Sequence, residues 1–306
     1  MTKKVSVILP THARPKRLET AIESILNQTY KNLEVIVIDD NDPKSLAREE
    51  TSKLMERYLK DERVIYILNE RSLGGGPARN EGIKKATGHY ITFLDDDDRY
   101  LPEKVENQVR FMEENNIEMC FGNIYIHNDE DKLVEYRRNN WAEGLSGEEL
   151  FKGFVLHSSP TPSIMILREV VERVGAFEDV PMGQEYVFTW KMMEANVNIK
   201  YFDGCDTVVY AHNDGRISNG ENKMKGQEMI FNLKKTKLHL LNKKEKRFLY
   251  FRHYAVLAHT SLRSRNMKDL FKYGMIIAFR YPFNAIRMAL DTLNNKKIAR
   301  EMSGKY

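Results

Sequence analysis

The stretch YITFLDDDD, residues 90–98, is an apolar run that ends in four adjacent aspartates, Asp95 to Asp98. The apolar part predicts a buried strand, and four carboxylates at its end repel one another unless a cation lies between them. A divalent metal ion that holds a phosphorylated ligand fits such a place. A solvated acidic turn that caps the next helix is the alternative, because a short acidic run is a weak motif by itself.

Strand-like and helix-like runs alternate along the chain before this stretch. Hydrophobic patterning predicts strands at residues 5–9, 35–38, 64–68 and 90–94, and helices at residues 15–28, 46–59 and 77–86. Apolar strands separated by helices indicate a mainly parallel sheet that is covered on both faces. The predicted fold class is therefore α/β.

The pattern changes after Pro102. The sequence there predicts a helix at 102–115, a strand at 118–127, a polar segment at 128–147, a strand at 163–167 and a helix at 187–194. From about Gly220 onward only helices are predicted, so we place a domain boundary near this residue.

Polar residues follow each of the first four predicted strands at its carboxyl end, where parallel sheets bind their ligands. They lie at residues 10–14, 39–42, 69–80 and 95–98. Within the third group, Gly74 to Gly76 let the backbone approach a ligand, and Arg79 and Asn80 offer donors to a phosphate or a base. The spacing of these glycines excludes a dinucleotide-binding fingerprint and a Walker A loop.

Charge is distributed unevenly along the 306 residues. The net charge is +14 for residues 221–306 and −10 for residues 1–220, against +4 for the whole chain. A basic segment of this kind suits anionic lipid or a phosphorylated acceptor, and a packed helical extension with a solvated basic face is the alternative. We expect no nucleic-acid partner.

The sequence predicts a cytoplasmic protein. It contains no run of about 18 apolar residues, and the short apolar run after Lys4 is ended by Pro10, which does not suit a signal peptide. Cys120 and Cys205 lie far apart and outside any CxxC motif, so we expect two reduced thiols and neither a disulfide framework nor a zinc site.

Five segments, taken in order, resemble the successive blocks of glycosyltransferase family 2. They are residues 5–11, 21–30, 34–40, 78–83 and 88–98. The resemblance implies a GT-A fold, which is a Rossmann-like, mainly parallel sheet flanked by helices. It also implies an inverting enzyme that moves a sugar from a nucleotide-sugar, with UDP as the expected nucleotide, to a hydroxyl of a glycan or a lipid-linked glycan.

The resemblance also implies a domain plan. Residues 1–220 form the GT-A catalytic domain, with residues 1–102 as the nucleotide-binding half and residues 103–220 as the acceptor half. Residues 221–306 form a basic helical extension. Surface-polysaccharide enzymes of this family act on acceptors at the inner face of the cell membrane, so peripheral membrane contact through the extension is expected. The sequence leaves open whether the protein forms a homo-oligomer.

The same resemblance assigns roles to residues at the predicted sheet edge. The implied nucleotide-binding residues are Pro10, Thr11, Asp40, Arg79, Asp95 and Asp96. The implied ligands of a Mn²⁺ or Mg²⁺ cofactor are Asp97, Asp95 and His212, and Arg216 is a candidate phosphate contact. A divalent cation suits this chemistry, because a nucleoside diphosphate gains negative charge as it leaves the sugar.

Transfer also needs a base that takes the proton of the acceptor hydroxyl. Residues 175–190 resemble the family block in which acidic residues precede a helix, and this alignment places Glu185 at the base position. Asp179 is the second candidate and Glu178 the third. A helix-capping role is the alternative for each of them.

Two other classes of function stay open at this point. A sugar-phosphate nucleotidyltransferase also uses a parallel sheet and a metal-bound diphosphate, but it has a glycine-rich stretch after the first strand, where residues 10–15 contain no glycine. A non-catalytic protein that docks on membrane or polysaccharide would depend on the basic helices instead.

Overall fold

The computed structural model describes residues 2–157, 161–211 and 221–290. The strands are β1 Val5–Thr11, β2 Leu33–Asp39, β3 Val64–Leu68, β4 Tyr90–Phe93, β5 Arg99–Tyr100, β6 Met119–Phe121, β7 Ile124–His127, β8 Leu133–Arg137, β9 Ile164–Leu167, β10 Ile199–Tyr201 and β11 Thr207–Tyr210. The helices are α1 Pro15–Leu26, α2 Leu46–Tyr58, α3 Gly75–Lys85, α4 Lys104–Asn115, α5 Gly147–Leu156, α6 Arg168–Val174, α7 Gln184–Glu194, α8 Glu221–Lys235, α9 Lys243–Arg263 and α10 Met267–Arg280. Residues 282–290 are also helical.

The larger sheet has seven strands in the order β10-β6-β9-β4-β1-β2-β3. Strand β1 is parallel to both β2 and β4, β2 is parallel to β3, and β10 is parallel to β6, whereas β9 runs antiparallel to its two neighbours. The predicted mainly parallel sheet is thus confirmed. Since β1 to β4 point the same way, the loops that follow them meet at one edge.

Alternating residues of β1 enter two separate apolar cores, one on each face of the sheet. Val7 and Leu9 belong to a cluster with α1, α2 and α4. Ile8 belongs to a second cluster with α3 and helices α5 to α9. Helix α1 begins with Pro15, a favoured first-turn residue, and buries the apolar face that its sequence predicts. Coverage on both faces explains why these strands are apolar throughout.

The acceptor half differs from its predicted pattern in two places. The single strand predicted at 118–127 is two strands, β6 and β7, which belong to different sheets. The strand is interrupted at Gly122, where a Cβ atom would lie 3.0 Å from the Gly204 carbonyl oxygen. The segment 128–147, predicted as a polar excursion, contains β8, which completes a second sheet in the order β5-β11-β7-β8.

Helices α8 and α9 pack against one apolar core of the seven-stranded sheet. Ile230 and Leu249 belong to the same buried cluster as Ile8 and Phe93. At the start of α7, Gly183 has a φ of +77°, and a Cβ atom there would come within 2.4 Å of the Ile230 side chain. The C-terminal helices therefore contact the segment that carries Glu185, while the predicted domain boundary near Gly220 stays a prediction.

Two further features of the structure concern membrane spans and the two cysteines. Across residues 2–157, 161–211 and 221–290, none of the helices combines the length and the apolar character that crossing a bilayer requires. Cys120 is buried, Cys205 is half-buried, and both are free thiols.

Candidate active site

The loops after β1, β2 and β4 bring the predicted nucleotide-binding residues to one edge of the sheet. Thr11 is the last residue of β1 and pairs in register with Asp39, so Asp40 follows directly beside it. Ile8 pairs with Phe93, which places the aspartate loop, residues 95–98, on the other side of the β1 end. The carboxyl ends of three strands thus lie side by side, and we call the space in front of this edge the crevice.

Asp96 is buried and turns away from the crevice towards the loop after β1. Its carboxylate accepts hydrogen bonds from Thr11 Oγ1 at 2.8 Å, from the His12 backbone N–H at 3.0 Å and from Arg14 Nη1 at 3.0 Å. Burial, reinforced by the charge of Asp97, raises the pKa of Asp96 to about 6. Asp96 therefore fixes the shape of the loop, and its predicted nucleotide contact stays a prediction.

Asp97 and Asp98 complete the acidic loop. Asp97 Oδ2 lies 2.9 Å from Arg14 Nη1. Asp98 is buried and accepts a hydrogen bond from the Tyr210 backbone N–H at 3.0 Å. Burial and the charges of Asp95 and Asp97 hold the pKa of Asp98 well above its usual range. Among the described residues, two guanidinium groups, those of Arg14 and Arg79, pair with this loop of four carboxylates, so its negative charge is incompletely compensated there.

Asp95 and Asp97 are the two acids of the loop that are partly exposed. The side chain of Asp95 is 37% exposed and that of Asp97 is 15% exposed. Carboxylate oxygens beside uncompensated negative charge fit a hard divalent cation. Within the described residues, no group of three or more His, Cys, Asp or Glu side chains is arranged to hold a metal. His212 and Arg216 lie outside the described residues.

Asp40 is buried and anchors the loop that leads into α3. Its Oδ1 accepts from Asn69 Nδ2 at 2.7 Å and from the Leu73 N–H at 2.8 Å. Its Oδ2 accepts from the Gly74 N–H at 2.9 Å and from Ser72 Oγ at 3.1 Å. Four donors fill the acceptor capacity of one carboxylate. The sequence gives no sign of this anchoring role, and the base-binding role of Asp40 stays a prediction.

Arg79, on α3, connects the aspartate loop to the start of α7. Its guanidinium forms an ion pair with Asp95, and its Nη1 lies 3.3 Å from Gln184 Oε1 at the start of α7. Burial lowers the pKa of Arg79, but the charges of Asp95 and Glu185 outweigh this effect and raise it. Arg79 Nε is buried without a hydrogen-bond partner in the described structure.

The glycine-rich turn before Arg79 allows close packing between the two halves. A Cβ atom at Gly76 would lie 2.9 Å from the Glu178 carbonyl oxygen, so a side chain there would push the halves apart. Asn80 Nδ2 donates to the Phe177 carbonyl at 2.8 Å, and Asn80 Oδ1 accepts from the Phe177 N–H at 2.9 Å. The sequence predicts that Asn80 donates to a ligand. In the structure its side-chain amide instead hydrogen-bonds to the Phe177 backbone and so joins the two halves.

The three candidate bases differ in their surroundings. Glu185 is half-buried in the first turn of α7 and makes no hydrogen bond with any residue that the structure describes. Glu178 is exposed and forms an ion pair with Lys191 at 3.0 Å, and Asp179 is exposed. Of the three, only Glu185 combines partial burial with an electrostatic interaction with Arg79, and its role as the base stays a prediction.

A family model described as Glycosyl transferase family 2 matches residues 6–175, which is more than half of the chain. The chain belongs to glycosyl transferase family 2. The matched segment of this family member contains Asp40, Arg79 and the aspartate loop, and it ends before Glu185. The family predicted from the sequence is confirmed, while the roles of single residues stay predictions.

Curated proteins of the same family share part of their length with the chain. It is 35% identical over 195 residues to an uncharacterized glycosyltransferase of Methanocaldococcus jannaschii, covering 63% of this chain and 65% of that protein. It is 37% identical over 125 residues to the Escherichia coli UDP-Glc:alpha-D-GlcNAc-diphosphoundecaprenol beta-1,3-glucosyltransferase WfaP, covering 41% of this chain and 47% of that protein. The chain spans less than two thirds of the length of these relatives.

A solved structure confirms the fold. The mannosyltransferase PcManGT from Pyrobaculum calidifontis, in complex with GDP-Man and Mn²⁺, superposes with a TM-score of 0.60 at 14% identity, covering 97% of this chain and 87% of that chain. At this identity the likeness concerns the fold, and the predicted GT-A α/β architecture is confirmed.

Proposed function

We propose that this chain is an inverting glycosyltransferase that transfers a sugar from a UDP-sugar to a hydroxyl of a lipid-linked glycan, with the help of a divalent cation. The observation that carries the proposal is the position of Arg79, which pairs with Asp95 on the nucleotide side and interacts with Glu185 on the acceptor side. A donor bound at one end of this connection therefore faces a candidate base at the other.

The proposed donor and acceptor are supported by relatives. The Escherichia coli relative is named for transfer from UDP-Glc to a GlcNAc diphosphoundecaprenol. A Campylobacter jejuni relative, 36% identical over 135 residues, is named as a beta-1,3-glucosyltransferase acting on a diphosphate-linked undecaprenol glycan. Both acceptors carry a sugar hydroxyl on a diphosphate lipid, which fits the proposed reaction.

The proposed chemistry is a single displacement. Glu185 takes the proton of the acceptor hydroxyl while its oxygen bonds to the anomeric carbon, and the bond from that carbon to the nucleoside diphosphate breaks with its electron pair on the phosphate oxygen. One such displacement inverts the anomeric centre. Arg79 holds Asp95 in place, and Asp40 fixes the loop that carries the glycine turn.

Asp95 and Asp97 would hold the cation, since they are the two acids of the loop with partly exposed side chains. When bound, a Mn²⁺ or Mg²⁺ ion offsets the negative charge that develops on the leaving diphosphate. A Mn²⁺ ion in the complex of the structurally similar mannosyltransferase supports a divalent cation in this fold.

Asp97→Asn is expected to weaken UDP binding in the presence of Mn²⁺ by about tenfold or more, which corresponds to about 1.4 kcal/mol. The substitution keeps the side-chain shape but removes the charge that attracts the cation. Isothermal titration with UDP, with and without Mn²⁺, measures the effect. Asp269→Asn, a change of the same chemistry in the first turn of α10, is the control and should bind like the wild type.

The proposal fails if the wild type binds no UDP with Mn²⁺ and Asp97→Asn changes nothing. A nucleotidyltransferase has less support, because residues 10–15 lack the glycine-rich stretch that such enzymes use after the first strand. Pyrophosphate release from UTP and a sugar phosphate would support that alternative instead.

We also propose that the α10 surface contacts an anionic bilayer. We define this surface as Phe271, Met275 and Phe279 of α10 with Phe283 of the following helical segment, whose exposures are 70%, 40%, 77% and 80%. The first three recur every four residues and form one stripe along the helix. Lysines and arginines of the same segment supply positive charge, which suits a peripheral helix on anionic lipid.

The double variant Phe279→Ser/Phe283→Ser is expected to lose most of its binding to phosphatidylglycerol vesicles. Burying one phenylalanine contributes about 1.5–3 kcal/mol, so each loss weakens binding by about tenfold or more. Vesicle sedimentation measures the bound fraction. Leu46→Ser, which removes an exposed leucine at the start of α2, is the control. Equal sedimentation of the wild type and the double variant would contradict the proposed contact.

A further inference from the structure

A cavity of about 430 Å³ lies where α8 and α9 pack against the end of α5 and the start of α7. Six of the side chains that line it are acidic, basic or imidazole groups: Arg137, His157, Glu185, Lys234, Arg252 and His253. They come from β8, α7, α8, α9 and the residue that ends α5. The cavity is thus formed jointly by the family domain and the basic C-terminal helices.

Three cationic side chains converge on this cavity from three separate elements. Arg137 lies 3.0 Å from Glu135 and is compensated by it. Neither Lys234 nor Arg252 forms an ion pair with a carboxylate in the part of the chain that the structure describes. Lys234 Nζ instead lies 5.0 Å from the centroid of the Tyr186 ring.

These cations repel one another. Burial and the positive charge of Arg252 lower the pKa of Lys234 to about 7. Arg252 is an exposed residue, but partial desolvation of its guanidinium and the charge of Arg137 likewise lower its pKa. Adjacent positive charges in a partly desolvated cavity are unfavourable unless an anion occupies the space between them.

The two histidines provide neutral hydrogen-bonding groups in the same cavity. Burial, together with nearby positive charges, lowers the pKa of both His157 and His253 to about 4, so both imidazoles are neutral near pH 7. His253 is 5% exposed, and its Nδ1 has no hydrogen-bond partner among the described residues. His253 Nε2 lies 3.5 Å from a Glu228 carboxylate oxygen, so Nδ1 is the nitrogen of this ring that a polar ligand in the cavity could reach.

Glu185 connects the cavity to the proposed chemistry. Its carboxylate lines the cavity, and its charge also raises the pKa of Arg79 on the donor side. A group bound beside Lys234 and Arg252 would therefore share one cavity with Glu185, the proposed base.

We propose that this cavity binds a phosphate or diphosphate group carried by the acceptor, with Lys234 and Arg252 as its cationic contacts. Arginine and lysine are the side chains that hold phosphate oxygens most strongly, through charge-assisted hydrogen bonds. This inference rests on the proposed function, because it assigns the anion to the acceptor through its closeness to Glu185. It places acceptor recognition in the C-terminal helices, outside the segment that the family model matches.

The first test is a lysine-labelling experiment on the wild-type protein. UDP and Mn²⁺ are added at saturation so that the donor site is filled, and an amine-acylating reagent is applied with and without inorganic pyrophosphate. Mass spectrometry then reports the labelling of Lys234 and of Lys235, its neighbour on α8, which does not line the cavity. We expect pyrophosphate to protect Lys234 by about tenfold and Lys235 by less than about twofold. Equal labelling of Lys234 with and without pyrophosphate overturns the proposal.

The second test separates an acceptor-borne phosphate from a free anion. Farnesyl diphosphate should protect Lys234 as pyrophosphate does, whereas farnesol, which lacks the phosphates, should not. Protection by pyrophosphate with none by farnesyl diphosphate would show a site for free anions and would overturn the assignment to the acceptor.

Variants provide the third test. Lys234→Gln and Arg252→Gln should each weaken pyrophosphate binding at saturating UDP by about tenfold, and Lys235→Gln, the matched control, by less than about twofold. UDP binding in the same samples reports whether each variant is folded. A wild type that binds no UDP would refute the proposed function, whereas unprotected Lys234 in a UDP-binding protein refutes only the phosphate site. A variant that fails to fold leaves the wild-type labelling result as the deciding one.

Discussion

Replacing Glu185 by glutamine is expected to lower kcat by about 10³-fold, which is within the usual contribution of a general base. Glutamine has nearly the same size and keeps the first turn of α7, but it cannot take the proton of the acceptor hydroxyl. Donor binding should change by less than about twofold, because Arg79 keeps its ion pair with Asp95. The measurement is the steady-state release of UDP from UDP-glucose in the presence of a GlcNAc diphosphate lipid.

Asp179→Asn and Glu178→Gln are the matched controls for this prediction. Both residues are exposed, and Glu178 is paired with Lys191, so each change should lower kcat by less than about threefold if Glu185 is the base. A loss of about 10³-fold in Asp179→Asn, with Glu185→Gln near the wild type, would move the base to Asp179. Equal small effects in all three would contradict base catalysis by this segment.

The sequence predicts the sheet well because the determinants of strands and helices are local. Apolar runs such as residues 5–9 and 90–94 are buried on both faces, and the periodicity of α1 matches the face that it buries. The edge where ligands bind follows from strand direction, so the positions of Asp40 and Asp95 could also be predicted. The break between β6 and β7 could not, because it depends on the contact of Gly122 with Gly204 far along the chain.

Side-chain partners in the crevice are less predictable than residue positions. Asp96 and Asp97 both contact Arg14, and Asp96 turns away from the crevice, because the loop geometry after β4 sets their directions. Nothing in an acidic run tells which of its carboxylates will be buried. The cavity at Lys234 is equally hard to predict, since Lys234 and Arg252 lie more than one hundred residues after the aspartate loop and meet only through helix packing.

Asp40→Ala is expected to lower the free energy of unfolding by about 3 kcal/mol in the absence of nucleotide. The change leaves the buried Asn69 side-chain amide without its acceptor, at a cost of about 1–3 kcal/mol, and the part-buried N–H groups of Leu73 and Gly74 lose theirs as well. Asp40→Asn should lose about half as much, because its carbonyl oxygen can still accept from two donors while its NH₂ group faces the other two. Urea denaturation followed by circular dichroism measures both effects.

Asp42→Asn is the control that separates anchoring from ordinary turn chemistry. Asp42 also accepts a backbone hydrogen bond, from the Lys44 N–H at 2.8 Å, but it is exposed, so water replaces the lost contact and the change in unfolding free energy should stay below about 1 kcal/mol. The loop that Asp40 holds leads into α3 and Arg79, so Asp40→Ala should also weaken UDP binding by about tenfold or more. If UDP binding falls while stability is unchanged, Asp40 acts on the nucleotide directly and the loop does not depend on it. If both fall together, and Asp40→Asn lies between wild type and Asp40→Ala in each, the carboxylate acts by holding the loop from which the donor side of the crevice is built.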